Sequence, residues 1–305
     1  MEINTLRQQI VDTGITLLKS GLVARTWGNV SARVDEGHLL ITPSGLSYTE
    51  TTPEDLALYD MVEKTYEGKF KPSSEKGVHA GAYELLKDAN FVIHTHQTYA
   101  SAIGVYGFDS LIITDEERTK LGGIALADYG LPGTKKLKNA VRACFEKGAH
   151  TVLMKNHGAV VAGADKEEAM SRINLLEDIC KRNVKGLVEG ETPEVTCSKL
   201  GKPIVAQLDD MAQMIGRFIP FAKSEEEGLK NHNAVMVKGQ GIFVRGMDED
   251  DTEALKILAH KAAVTFLHVN ASGAKRKLSS IDCKLMNFVY KKKYSKKKDA
   301  KREGK

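Results

Sequence analysis

No stretch of this 305-residue chain comes near the roughly 18 consecutive apolar residues that a membrane-crossing helix requires, so no membrane span is expected. The opening "MEINTLRQQIVDTG" lacks a charged start followed by an apolar signal core, and a cytoplasmic location is the expectation. Cysteine is scarce too. Cys144, Cys180, Cys197 and Cys283 are widely scattered and form no CxxC pair, which excludes a disulfide-stapled secreted module and the common cysteine-based zinc frameworks. With 42% hydrophobic and 28% charged residues, the composition is that of a globular chain able to bury a sizeable core.

The body of the chain also lacks an excess of positive charge. The total is +4, but the last 15 residues, "KKKYSKKKDAKREGK", carry nine Lys or Arg against two acids, which leaves −3 for residues 1–290. No broad basic face for nucleic acid is expected there, and residues 286–305 read as a disordered, solvated, Lys-rich tail.

What the sequence does have is alternation. Residues 4–20 place apolar side chains at helical spacing and stop at Gly21. "GNVSARV" and "HLLITPSG" read as two strands joined by the turn-forming "DEG" at 35–37. "PSSEKGVHAGAYELLKD" reads as a helix with Pro and Ser at its start, and "NFVIHTH" as a buried strand. Residues 133–148 are helical, "HTVLMKNHGAVVAG" is a strand, turn and strand, and "DKEEAMSRINLLEDICKRNVKGL" is a long helix. This order predicts a layered α/β domain over residues 1–190. The polar stretch 191–203, with two prolines, reads as a linker. Residues 204–285 then form a smaller α/β module that partly repeats the first domain. Its "NAVMVKGQGIFVRGMDEDDTEALKILAHKA" aligns with residues 150–179, and "VAQLDDMAQMIGRFI" matches the helix upstream. In this alignment Gln240 stands opposite His157, so the module keeps the scaffold and drops the imidazole.

Three histidines carry the candidate chemistry. On a strand, residues i and i+2 share a face, so His94 and His96 project together from the end of "NFVI". His157, in the turn "NHG" between two apolar strands, is a third candidate, and three histidines with a position left open are what a catalytic zinc site requires. Glu75 closes the set from a helix start. The free N–H groups of that first turn favour an anion such as phosphate, and Ser73 and Ser74 sit there, either as phosphate contacts or as helix caps. Thr26 and Asn29 in "TWGNVSAR", with Ser44 and Gly45 in "TPSG", add small polar groups beside glycines, where backbone approaches a phosphate closely. His79, one helical turn after Glu75, is a further candidate; the other histidines have no partner spacing.

The ordered motifs "GNVSAR", "TPSG", "PSSE", "HTH" and "NHG" resemble the class II aldolase/adducin family over roughly residues 5–190. The resemblance implies a three-layer α/β/α sandwich with a largely antiparallel central sheet, and one Zn2+ per chain held by His94, His96 and His157. It also implies a phosphate site at Asn29, Ser44, Gly45, Ser73 and Ser74 with Thr26 nearby, and a homo-oligomer, commonly a tetramer. Glu75 would shuttle the proton on the dihydroxyacetone phosphate fragment. Glu75 and Tyr99 stand where family epimerases carry Asp and a further His, which favours aldol cleavage. Family aldolases place an acid tyrosine about twenty residues after the histidine pair, and "SLIITDEERTKLGG" contains none. Tyr129 is the substitute named for the second acid/base, with Asp115, Glu116 and Glu117 as alternatives.

The expected function is zinc-dependent cleavage of a ketose 1-phosphate, of fuculose or deoxyribulose type, to dihydroxyacetone phosphate and an aldehyde. A sugar-phosphate 4-epimerase or a methylthioribulose-phosphate dehydratase uses the same handles. The non-enzyme alternative is an adducin-like scaffold.

Overall fold

Apolar periodicity becomes secondary structure largely where expected. The computed structural model describes residues 2–108, 111–273 and 277–302, the last ten of these by backbone alone. Two compact units result, residues 1–183 and 184–305.

The first unit runs α1 (Ile3–Lys19), β1 (Asn29–Arg33), β2 (His38–Ile41), β3 (Ala57–Asp60), β4 (Tyr66–Glu67), α2 (Lys76–Leu85), β5 (Phe91–Thr95), α3 (Thr98–Tyr106), α4 (Asp115–Lys120), β6 (Ile124–Ala127), α5 (Lys135–Phe145), β7 (Thr151–Met154), β8 (Gly158–Gly163) and α6 (Lys166–Asn183). Its eight strands form one sheet in the order β4-β3-β2-β1-β5-β8-β7-β6. Every neighbouring pair is antiparallel except β6 with β7. Strands buried on both faces need a layer on each side. Helices α2 and α5 supply one, packing Val78, Tyr83, Val141 and Phe145 against Leu39, Val92, Val152 and Val160. The opposite face is covered by α1, α3 and α6, which bury Ile10, Leu17, Ile103, Ile173 and Leu176. The architecture is the expected α/β/α sandwich with a mostly antiparallel sheet.

The second unit contains α7 (Pro193–Lys199), β9 (Ile204–Val205), α8 (Asp209–Met214), β10 (Phe218–Ile219), β11 (Phe221–Ala222), α9 (Glu225–Gly228), β12 (Ala234–Val237), β13 (Gly241–Val244), α10 (Glu249–Ala271) and α11 (Ser280–Arg302). Strands β11, β12 and β13 form a three-stranded sheet, with β11 parallel to β12 and β12 antiparallel to β13. Among the described residues of the chain, no helix is long and apolar enough to cross a membrane.

Three expectations need correction. Residues 191–203 are not a bare linker, because they hold α7, which packs on α10. Thr192 caps that helix by accepting from the Val195 N–H, and Pro193 sits in its first turn, where a missing N–H costs nothing. Residues 286–302, read as disordered, continue α11. Lys, Arg and Ala are good helix formers, and Cys283 and Met286 are buried on a helix that packs against α8; residues 303–305 lie outside the described residues. Finally, the helix joining the parallel strands of the second unit is α9. The segment matched by apolar pattern, α8, precedes β10 instead.

Candidate active site

Two neighbouring strands and one helix build the site. Strand β1 pairs antiparallel with β5, with Asn29 opposite His94 and Ser31 opposite Val92. Because side chains alternate, Asn29, Ser31, Val92 and His94 all point to the sheet face that α2 covers. Gly28 permits this approach: its φ is +77°, and a Cβ there would lie 2.6 Å from the His94 carbonyl oxygen. On the other side β5 pairs with β8. The turn from β7 into β8 carries His157, whose neighbour Gly158 lies so close to β5 that a Cβ would be 2.2 Å from the Thr95 carbonyl oxygen.

The three imidazoles converge. Nε2 of His94 lies 3.1 Å from Nε2 of His96 and 3.2 Å from Nε2 of His157, and all three residues are buried. His94 donates its Nδ1–H to the Ala159 carbonyl at 2.8 Å, which leaves Nε2 as the lone-pair nitrogen. Glu75, at the N-cap of α2, places Oε2 3.1 Å from His94 Nε2 and Oε1 3.2 Å from His157 Nε2. Burial works to raise the Glu75 pKa, but the imidazoles of His94 and His157 outweigh it and hold the carboxyl well below its ordinary range. Its Oε1 is buried without a well-aligned hydrogen-bond donor.

Imidazole nitrogens facing a carboxylate form a donor set that fits a cation. Ligand atoms around a tetrahedral zinc at bond lengths of about 2.0–2.1 Å stand about 3.3 Å apart, close to the 3.1–3.2 Å separations that His94 and Glu75 make here. Among the described residues His94, His96 and His157, with ligand atoms within 4.8 Å of one another, are the one group of three or more His, Cys, Asp or Glu that could hold a metal ion.

The expected phosphate residues come from two loops that run side by side. An isolated bridge joins Pro43 to Pro72; the Ser44 N–H donates to the Lys71 carbonyl at 2.8 Å and the Ser73 N–H to the Thr42 carbonyl at 3.1 Å. "TPSG" and "PSSE" are thus brought together, with Gly45 in the left-handed region at φ +74°. Ser73 is buried and its Oγ accepts from the Glu75 N–H at 3.2 Å, so it shapes the entry to α2. Ser74 and Thr26 are exposed and Asn29 is buried. A small cleft of about 100 Å³, lined by Ser74, Glu75, Thr134, Lys135 and Lys138, lies between the starts of α2 and α5.

Tyr129 is half-buried in the loop after β6, at the same sheet end as His157: the Lys155 N–H donates to the Ala127 carbonyl, and the Lys155 ammonium pairs with Asp128. Glu117 is engaged structurally. It caps α4 reciprocally with Thr114 and pairs with Arg182 at 2.6 Å; the backbone N–H of Thr114 and that guanidinium hold its pKa down. Glu116 pairs with Lys120 one turn on, and Asp115 is exposed in the first turn of α4. Tyr99 lies in the first turn of α3 with the Lys181 ammonium over its ring. Sequence reasoning gave His79 little weight and missed Ser31 and Tyr83, all three fully buried beside Asn29. The available signal was the spacing of Glu75, His79 and Tyr83 by four residues on one helix face.

Residues 8–184 match the class II aldolase and adducin N-terminal domain. A 5-deoxy-D-ribulose 1-phosphate aldolase of Bacillus thuringiensis serovar kurstaki is 35% identical over 161 residues, covering 52% of this chain and 74% of the relative. An L-ribulose-5-phosphate 4-epimerase of Salmonella paratyphi B is 31% identical over 189 residues, 58% of this chain and 82% of the relative. Among solved structures, an L-fuculose 1-phosphate aldolase superposes with a TM-score of 0.53 at 28% identity, over 58% of this chain and 84% of its own.

Proposed function

The chain belongs to the class II aldolase and adducin family, and from that premise we propose that it is a zinc-dependent aldolase. Its substrate is a ketose 1-phosphate of fuculose or deoxyribulose type, cleaved to dihydroxyacetone phosphate and an aldehyde. Relatives of the family are aldolases, and the chain is an enzyme of that lyase class. The observation that carries the reading is the convergence of three imidazoles, two of them against the Glu75 carboxylate, beside two paired loops of small polar residues.

His94, His96 and His157 hold the metal, whose Lewis acidity would stabilise the negative charge that develops on the substrate oxygens as C3–C4 breaks. Ser44, Gly45, Ser73, Ser74 and Asn29, with Thr26 at the rim, hold the phosphate and set the register of the carbon chain. Glu75 carries the proton that C3 of the dihydroxyacetone phosphate half gains on cleavage and loses on condensation. Tyr129, as phenolate, takes the proton that the C4 hydroxyl releases as the aldehyde forms, and as phenol returns it to the aldehyde oxygen on condensation. The same reading makes the enzyme a cytoplasmic homo-oligomer, and its four buried, free cysteines suit a reducing compartment.

A second reading, sugar-phosphate 4-epimerase, draws on the 31% identical epimerase relative and on the absence of tyrosine from residues 110–123. Incubating the zinc-loaded protein with dihydroxyacetone phosphate and a panel of short aldehydes separates the two. Condensation to ketose 1-phosphates is expected. Interconversion of ketopentose 5-phosphates without any condensation product assigns the site to the epimerase reading instead.

A further inference from the structure

Beneath the carboxylate, five buried side chains form one continuous chain of hydrogen bonds between α2 and β1. Four residues of helix rise about 6 Å and two residues of strand about 6.8 Å. Glu75, His79 and Tyr83 on one face of α2 therefore keep step with Asn29 and Ser31 on β1. Asn29 Nδ2 donates to Glu75 Oε2 at 3.4 Å, and the Asn29 Oδ1 meets His79 Nε2 in a short hydrogen bond. His79 Nδ1 is 2.6 Å from Ser31 Oγ, and Ser31 Oγ is 2.7 Å from the Tyr83 hydroxyl.

The Asn29 amide sets the direction of the chain. Its Nδ2 faces Glu75 and donates, and its Oδ1, which only accepts, faces His79 Nε2. His79 must then carry its proton on Nε2. Burial drives the His79 pKa down to about 3, so the ring is neutral and Nδ1 is an acceptor. Ser31 donates to it, and Tyr83 donates to Ser31. Tyr83 is anchored in turn by Arg33, whose guanidinium lies 5.0 Å from its ring centroid and donates to its carbonyl at 2.8 Å.

We propose that His79 is a positioning residue for the catalytic carboxylate: its Nε2–H dictates which way the Asn29 amide faces, and so fixes Glu75 with Oε2 beside His94 and Oε1 beside His157. With the imidazole gone, the amide is free to turn its oxygen toward Glu75, and two acceptors then face each other in a buried site. The role rests on the assignment of Glu75 as the proton-shuttling group.

Two substitutions separate positioning from packing. In His79→Gln the amide nitrogen reaches the place of Nε2 and preserves the donor to Asn29 while losing the Ser31 contact. In His79→Asn the shorter side chain preserves the Ser31 contact and loses the donor. His79→Asn is expected to lower kcat for cleavage by about tenfold or more, the usual scale for partners that orient a metal site, whereas His79→Gln stays within about threefold at a comparable loss of Tm. Equal effects of both, or a larger effect of His79→Gln, would overturn the proposal. A readout independent of catalysis is the tautomer of His79 in the wild-type protein, followed by long-range 1H–15N correlation. The Nε2–H form is expected, and an Nδ1–H form or an imidazolium at pH 7 contradicts the proposal. A wild-type protein with no aldol activity refutes the assignment of the reaction, while the tautomer judges the hydrogen-bond chain by itself.

Discussion

In the hairpin β7–β8, Met154 pairs with Gly158 across Lys155, Asn156 and His157; in the hairpin β12–β13, Val237 pairs with Gly241 across Lys238, Gly239 and Gln240. Asn156 and Gly239 hold the same left-handed position, at φ +62° and +72°, which three-residue hairpin loops favour and which Asn and Gly tolerate. The correspondence continues downstream. A Cβ on Gly163 would lie 2.6 Å from the Ala169 nitrogen and one on Gly246 2.4 Å from the Thr252 nitrogen, six residues on in each case. Asp165 and Asp248, two residues after each glycine, accept from the N–H three residues on at 2.8 Å. Upstream, β6 and β11 each run parallel to the first strand of the hairpin.

The neighbourhood separates the two. Strand β8 has β5 on its far side, which brings His94 and His96, whereas β13 is the edge of a three-stranded sheet, half-buried over Ile242, Phe243 and Val244. We read the second hairpin as a copied packing unit that never needed an imidazole, because among the described residues no strand stands beside β13 to supply two more. The candidate metal site is thus a property of adjacent strands and not of the turn that looks most like a motif.

The largest expected effect comes from making the first turn resemble the second. His157→Gln removes one of three imidazoles from a buried cluster and is expected to lower aldol activity by more than about 100-fold, beyond the range seen for outer partners of metal ligands. Gln240→Ala, at the matching position, is expected to change activity less than about twofold, since exposed substitutions rarely matter. Comparable losses in the two variants would break the comparison. A smaller contrast lies in the glycines that open β8 and β13. Gly158→Ala forces a Cβ against the Thr95 carbonyl and, at 3.4 Å, against the His94 ring, and should cost about 3 kcal/mol of stability together with metal affinity. Gly241→Ala meets no atom closer than 3.6 Å but must adopt φ +117°, and should cost about 1–3 kcal/mol with metal affinity intact. Chemical denaturation alongside metal titration checks both.

Much of the site was legible because its signals are local. The alternation His94-Thr95-His96, the turn around His157 and the helix start at Glu75 each lie within a few residues, and the order of helices and strands sufficed for a layered α/β domain, the sandwich itself following from the family resemblance. What stayed hidden depends on distant pairing. The bridge from Pro43 to Pro72 leaves no periodic trace. His79 shows its spacing from Glu75 but not its partners until β1 places Asn29 and Ser31 against it, 50 and 48 positions away. Apolar pattern likewise favoured α8 over the four-residue α9 as the upstream helix, because the parallel pairing of β11 with β12 is invisible in local composition. Polarity and two prolines concealed α7 for a related reason: Thr192 and Pro193 break the preceding chain and start a helix at the same point.

Metal titration of the stripped protein tests the central claim most directly. His94, His96, His157 and Glu75 predict one tight Zn2+ site per chain in the wild type, lost when any one of the three histidines is replaced by Ala and retained in Gln240→Ala. A wild-type chain that binds no divalent ion, or that binds it equally well without His157, would contradict the account.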